Sequence, residues 1–218
     1  MSIKALVAVR SGSQRVQNKN IRPFAGKSLL EIKLEQLLRI KKLDGVIVNS
    51  NDDDMLQIAQ NMGCQTIKRA DYYASNTVSM SEVYRNMAEN MDADVIVYAN
   101  VTNPLLKDVT IEKAIETYML EREKYDSLNT AHLIKEFLFQ DGRPMNYEPD
   151  KQPRSQDLPD IYALNFAVSI IEKDKMIGYK NVVGKKPYIW KIDETEATDI
   201  DDPIDFEFAE YVYTHYRM

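Results

Sequence analysis

The chain has 218 residues, 28 Lys plus Arg against 34 Asp plus Glu, and a formal net charge of -6. That length buries one full core and is short for two complete domains, and an acidic balance argues against a general nucleic-acid binder. A single cysteine, Cys64, excludes an intramolecular disulfide and a cysteine-built zinc site and fits a reducing compartment, so a soluble, cytoplasmic protein is expected. No apolar run approaches the roughly 18 residues of a membrane span, and the first residues lack the apolar core of a secretion signal.

The first element is Leu6-Val7-Ala8-Val9, an apolar run that breaks into Arg10-Ser11-Gly12-Ser13-Gln14-Arg15. A buried parallel strand handing a loop to its carboxyl edge reads this way, and that edge is where open α/β sheets bind ligands. Gly12 and the serines let backbone amides approach a ligand, while Arg10, Arg15, Lys19, Arg22 and Lys27 gather five cations within eighteen residues. Such a loop suits a polyphosphate. Neither the dinucleotide fingerprint nor the P-loop pattern is present, so side-chain cations must do more of the binding.

Ser28-Leu29-Leu30-Glu31 reads as a capping box opening a helix over about 28–41, with Leu30, Leu34, Leu37 and Leu38 at helical spacing. Val46-Ile47-Val48 is a second buried strand, and the polar exit Asn49-Ser50-Asn51-Asp52-Asp53 starts a helix ending before Gly63. A short strand over 65–68 leads to the loop Ala74-Ser75-Asn76-Thr77, and Ser79-Met80-Ser81-Glu82 caps a helix running to Met91. Tyr72, Tyr73, Met80, Tyr84 and Met87, around that helix entrance, are expected in core or dimer contacts. A strand over 94–99 and a helix over about 109–124 complete a βαβ rhythm that implies a parallel wound sheet.

The second half is less regular. A strand is expected over 127–133, then a Pro-rich excursion without periodicity within about 134–160, a long strand over 162–171, a short helix over 172–177 and a strand over 188–192. The last helix, 203–215, follows the acidic turn Thr198-Asp199-Ile200-Asp201-Asp202. Asp202 before Pro203 suits the N-cap and Asp205 the helix dipole. Asp199 and Asp201 have no such structural duty, and in an extended segment they fall on one side. Two close carboxylates repel unless a cation lies between them, and Mg²⁺ shared with a triphosphate fits. The only histidines, His132 and His215, are expected in structural rather than catalytic roles.

The opening stretch Val9-Arg10-Ser11-Gly12-Ser13-Gln14-Arg15, with Lys19-Asn20-Ile21-Arg22-Pro23-Phe24-Ala25-Gly26-Lys27, resembles the signature of the acylneuraminate cytidylyltransferases, the CMP-sialic acid synthetases. The likeness extends over nearly the whole chain: Arg69-Ala70, Ala74-Ser75-Asn76-Thr77, Thr102-Asn103-Pro104-Leu105 and Asp199-Ile200-Asp201 follow in that family's order. The resemblance implies one domain over 1–218, an α/β Rossmann-like nucleotidyltransferase fold with a mostly parallel sheet flanked by helices, and a small dimerisation arm at 134–160. It also implies Mg²⁺, CTP, a small acidic sugar acceptor and a homodimer. By the same likeness Arg10, Ser13, Arg15 and Lys19 hold the triphosphate, Asn20 touches the nucleotide, and Arg69, Ser75 and Thr77 surround the cytidine. Asn100, Lys135, Arg154 and Asn165 stand at acceptor positions, Asp199 and Asp201 at the metal.

Three departures bear on this reading. Gln14 stands where the family usually has a Lys facing the phosphates, so Arg15 or Lys19 must supply that charge. Asn51 and Asn76 replace the usual Thr and Asp, and Ala163-Leu164-Asn165-Phe166-Ala167 replaces Arg-Pro-Asn-Gly-Ala, altering the acceptor pocket. The expected reaction is in-line attack of an acceptor hydroxyl on the α-phosphorus of CTP, with Arg10, Lys19 and Asp201 as the catalytic groups. A cytidylyltransferase for 3-deoxy-octulosonate or for a phosphate or phosphonate acceptor, and a nucleotide-binding member without catalysis, are the competing readings. All of them require Arg10 and Asp201 to meet in space.

Overall fold

The computed structural model describes residues 1–13 and 15–216. Strand β1 (Ile3–Ala8) leads through a tight hairpin, β2 (Pro23–Phe24) and β3 (Lys27–Ser28), into α1 (Leu29–Arg39). Then come β4 (Gly45–Ser50), α2 (Asp53–Asn61), β5 (Gln65–Lys68), α3 (Met80–Glu89), β6 (Val95–Ala99) and α4 (Asp108–Glu121). The second half holds β7 (Ser127–Ile134), the hairpin β8 (Phe139–Gln140) and β9 (Arg143–Pro144), β10 (Ile161–Glu172), α5 (Lys173–Tyr179), β11 (Pro187–Lys191) and α6 (Pro203–His215). No helix among the described residues is long and apolar enough to cross a membrane.

The helices start where the side chains dictate. Ser28 Oγ accepts from Glu31 N at 3.2 Å while Glu31 returns a carboxylate to Ser28 N at 2.7 Å, the expected capping box. Asp52 caps α2 through Met55 N (3.1 Å), and Ser79 caps α3 through Glu82 N (3.2 Å). Before α6 the Asp205 carboxylate receives both Asp201 N (3.0 Å) and Asp202 N (2.8 Å), which fixes the acidic turn onto the helix it precedes.

Among the described residues one sheet has seven strands in the order β11-β7-β10-β6-β1-β4-β5. Strand β1 pairs in parallel with β4 and β6, β4 with β5, and β7 with β11; β10 alone is antiparallel, to β6 and to β7. The expected mostly parallel sheet is therefore present, and its one reversed strand follows from chemistry of the chain: no crossover helix joins β7 to β10, so the return is antiparallel. Alternate residues of β1 feed opposite cores, Ala5 and Val7 to the face covered by α1, α2, α4 and α6, Leu6 to the face covered by α3 and α5. With β4 on one side of β1 and β6 on the other, the winding reverses there and leaves a crevice at the carboxyl ends.

Strands β7 and β10 outrun the sheet. Beyond a register shift between Leu164 and Ser169, and past the last β11 partner at Ala131, they continue as a two-stranded ribbon, His132–Ile134 against Ala163–Ile161, and carry the excursion at its tip. That excursion packs on itself. Tyr147 contacts Phe137 (5.0 Å) and Phe139 (6.1 Å) edge-on, and Asn146 bonds Leu138 N (3.0 Å) and Glu136 O (2.8 Å).

One interior residue is unexpected. Lys33, on the core side of α1, has 0% exposure, and its Nζ donates to Gln36 Oε1 (2.7 Å) and to the Asn103 carbonyl (3.1 Å). Burial lowers its pKa to about 7, against the opposing pull of Asp108. In the unfolded chain the amine titrates near 10.4. The folded state thus bears the cost of a buried cation fully below pH 7, and the cost fades as pH rises toward the unfolded value. Replacing Lys33 by Met is expected to raise the denaturation midpoint most at pH 6–7 and progressively less toward pH 9.5, measured by chemical unfolding of both proteins across that range.

Candidate active site

The carboxyl ends of β1 and β6 and the exit of β5 open on one cleft of about 670 Å³. The loop after β1 forms its polar wall, and it is tied down at both ends. Asn20, buried, donates from Nδ2 to Arg10 O (3.2 Å), and its own carbonyl receives Leu30 N (3.0 Å) at the start of α1. Asn51, after β4, bonds Ser11 N (3.3 Å) and Ser11 Oγ (3.2 Å). Gly12, at φ +81°, turns the chain between these anchors in a conformation most side chains disfavour. Gln14, where the resembling family usually carries Lys, lies outside the described residues.

Two kinds of cation line this cleft. Arg10 donates to Ala74 O (2.6 Å), and Arg69, 6% exposed, donates from Nε to Asn49 Oδ1 (2.6 Å) and from Nη2 to Asn49 O (2.7 Å). Neither has a carboxylate partner among the described residues. Burial pushes the Arg69 pKa down, with Tyr98 opposing and the Arg10 charge adding to it. Uncompensated guanidinium charge at a cleft wall is what a phosphate recruits. Arg15 and Lys19 are different: both reach Asp201, Arg15 at 2.7 Å and Lys19 at 3.9 Å. Lys19 also donates to Ile200 O.

Arg10 and Asp201 therefore line one cavity, although they are far apart in the chain. Ile200 N donates to Thr102 O at 2.9 Å, which lays the acidic turn along the exit of β6. Asp199 stands beside the cleft with the Thr102 hydroxyl bonded to it. Crowding by neighbouring atoms raises its pKa even though part of the side chain stays at the surface, and Asp201 and Asp205 push the same way against Thr102 and Lys19. Among the described residues no group of three or more His, Cys, Asp or Glu side chains gathers as a metal cage. Two carboxylates with open positions nonetheless suit Mg²⁺, which takes one or two protein carboxylates and completes its shell with phosphate oxygens and water. For Asp201 to serve, Arg15 must move from it to the incoming phosphates.

The other expected residues divide. Ser13, Ser75 and Asn100 line the cleft with those above. Thr77 lies at the surface and reaches the site only through Ser75 Oγ (3.1 Å). Lys135 binds Asp160 (2.6 Å) and Leu158 O at the foot of the excursion, Arg154 pairs with Asp157 (2.7 Å), and Asn165 accepts from Thr130 Oγ1 (2.7 Å) and Ala167 N (3.2 Å); none of the three lines the cleft. Met87 lies in the core as expected, with Tyr73 packed against that core, and the two also line the cleft together with Met80 and Tyr98 as its apolar wall. Sequence reading missed Asn49, whose carbonyl receives Val9 N (3.1 Å) as well as Arg69. Its only signal was a polar residue ending an apolar strand.

A model of the cytidylyltransferase family matches residues 4–207. An N-acylneuraminate cytidylyltransferase from Oncorhynchus mykiss is 26% identical over 217 residues, which is 95% of this chain and 49% of that protein. A pseudaminic acid cytidylyltransferase from Campylobacter jejuni is 25% identical over 227 residues, 95% of this chain and 94% of its own length. In fold, the chain is similar to the solved CMP:2-keto-3-deoxy-manno-octonic acid synthetase complexed with CTP, with a TM-score of 0.72 and 13% identity, covering 97% of this chain and 98% of that one.

Beside Asn100, β10 holds a strained residue. Phe166 takes φ +53° inside the strand, where the register shifts, and the bonds from Ala167 N to Asn165 Oδ1 and from Asn100 N to Ala167 O (3.4 Å) hold it there. A β-carbon in the left-handed region costs roughly 1–2 kcal/mol. Phe166→Gly is therefore expected to be more stable than Phe166→Ala by about 1 kcal/mol, the reverse of the ordinary order in a strand, as read from paired chemical denaturation curves.

Proposed function

The chain belongs to the cytidylyltransferase family and is a CTP-dependent nucleotidyltransferase; from that premise we propose that it transfers CMP from CTP to a nonulosonic, sialic-type acid, releasing pyrophosphate. The observation that carries the reading is the meeting of Arg15 and Lys19 with Asp201, at 2.7 and 3.9 Å, in the cleft that Arg10 and Arg69 also line. The relatives named for N-acylneuraminate and pseudaminic acid favour a nine-carbon acceptor.

In this reading the acceptor hydroxyl oxygen attacks the α-phosphorus in line. A phosphorus–oxygen bond forms there as the bond to the β-phosphate breaks, the electron pair leaves on pyrophosphate, and the hydroxyl proton passes to solvent. Arg10, Arg15 and Lys19 neutralise the phosphate charge before and during departure, and Ser13 offers a short donor beside them. Arg69, fixed by Asn49, and Ser75 position the nucleoside against the wall of Tyr73, Met87 and Tyr98, while Asn100 faces the acceptor. Asp199 and Asp201 would hold Mg²⁺, which supplies charge neutralisation across the phosphates and acidifies a bound hydroxyl. Phe139, Met145 and Tyr162, exposed on and below the arm, support a homodimer in which a second copy covers that face.

Pyrophosphate release from each of the four nucleoside triphosphates, with Mg²⁺ and a panel of nine-carbon and eight-carbon keto-sugar acids, tests this. Turnover is expected with CTP alone and with a nine-carbon acid; turnover confined to an eight-carbon acid, or none with any acceptor, overturns it. Asp201→Asn is expected to lower kcat/KM by at least roughly 100-fold, and Arg10→Ala to raise the KM for CTP by about tenfold, in the same assay.

A further inference from the structure

Lys33 sits where methionine would fill the space at less electrostatic cost, so the amine calls for an account. It and Gln36, three residues on, share one face of α1 that otherwise presents leucines to the core. Besides the bond between the two of them (2.7 Å), they reach the segment after β6: Lys33 Nζ to Asn103 O (3.1 Å), Gln36 Nε2 to Leu106 O (2.6 Å) and to Asp108 Oδ1 (3.0 Å). A buried helix side chain is thus gripping a backbone loop.

The loop grips the acidic turn in its turn. Asn103 is 0% exposed and donates from Nδ2 to Thr198 O (3.0 Å), and its neighbour Thr102 accepts Ile200 N (2.9 Å) on its carbonyl. The hydroxyl of Thr102 bonds Asp199. Asn103 Oδ1 is buried without a partner, so the bond to Thr198 orients that side chain. From the amine the path reaches, through Asn103 and Thr102, the backbone of Thr198 and Ile200, which flank Asp199 and precede Asp201.

We propose that Lys33 is a positioning residue that sets, through Thr102 and Asn103, the aim of Asp199 and Asp201 into the phosphate end of the cleft. The proposal rests on the reading of those two aspartates as the magnesium ligands. Residues that orient ligands from behind typically change metal affinity by about 10- to 100-fold, whereas a merely space-filling lysine leaves it unmoved. Stability and metal response should then part company on substitution: an apolar side chain removes a buried cation, which favours the fold, and frees the turn, which disfavours the metal.

The test compares wild type, Lys33→Met and Asn103→Ala by two readouts: the Mg²⁺ concentration giving half of the thermal upshift of the CTP-bound protein, and the kcat and KM for CTP from pyrophosphate release at saturating Mg²⁺. Lys33→Met is expected to melt at or above wild type at pH 7.5, to need about tenfold more Mg²⁺, and to lose kcat with KM for CTP unchanged. Asn103→Ala cuts the link to Thr198 without touching the Lys33 contact, and is expected to shift the Mg²⁺ midpoint likewise; it decides the question if Lys33→Met does not fold. The combined variant should be no worse than the more affected single one. A wild type that responds to Mg²⁺ alongside variants with the same midpoint overturns the proposal alone. A wild type whose CTP complex ignores Mg²⁺ overturns the aspartate reading and the proposal with it.

Discussion

The site depends on bringing the first loop of the chain against its last turn. The visible sign is the Arg15–Asp201 pair, but at 61% and 50% side-chain exposure it contributes at most about 1 kcal/mol and does not hold the two segments together. Bonds to the backbone of Ile200 do that. Ile200 offers its carbonyl to Lys19 and its amide to Thr102, so one residue of the acidic turn is bound to the exits of both β1 and β6. Because those strands are neighbours in the sheet, the turn is fixed against the crevice where the winding reverses. Surface charge is left free to exchange partners when phosphates arrive.

This division of labour recurs across the cleft. Amides, neutral and obliged to bond, do the holding: Asn20 ties the loop to α1, Asn51 ties Ser11, Asn49 immobilises Arg69, and Asn103 anchors Thr198. Arg10 and Arg69 are then held with no carboxylate partner among the described residues, which keeps their charge available to a ligand. An asparagine supplies geometry at no cost in field. A carboxylate in any of these places would have cancelled the positive potential the site is built to offer.

Much of this was legible in the chain, and what was hidden has physical reasons. Short apolar runs followed by polar loops marked β1, β4 and β6, and serine with glutamate three residues later marked α1 and α3, because these are local signals. The basic loop and the paired aspartates suggested a phosphate site, and the sheet brought Arg10, Lys19 and Asp201 to one cavity. The burial of Lys33 and Gln36 leaves no trace in the sequence, since nothing local tells a buried amine from an exposed one. The direction of β10 escaped because it depends on the absence of a crossover, and the positions of Lys135, Arg154 and Asn165 outside the cleft depend on a ribbon whose course no periodicity records. The hairpin of β2 and β3, two residues a side, is too short to show a period, and Ala25 and Gly26, both at positive φ, turn it.

The excursion between β7 and β10 stands on two strands that have already left the sheet, with its own aromatic cluster and its own amide clamp. Its folding information is thus largely separate from that of the crevice. Lengthening, trimming or resurfacing this peninsula therefore leaves the registers of the strands around the crevice without a reason to change.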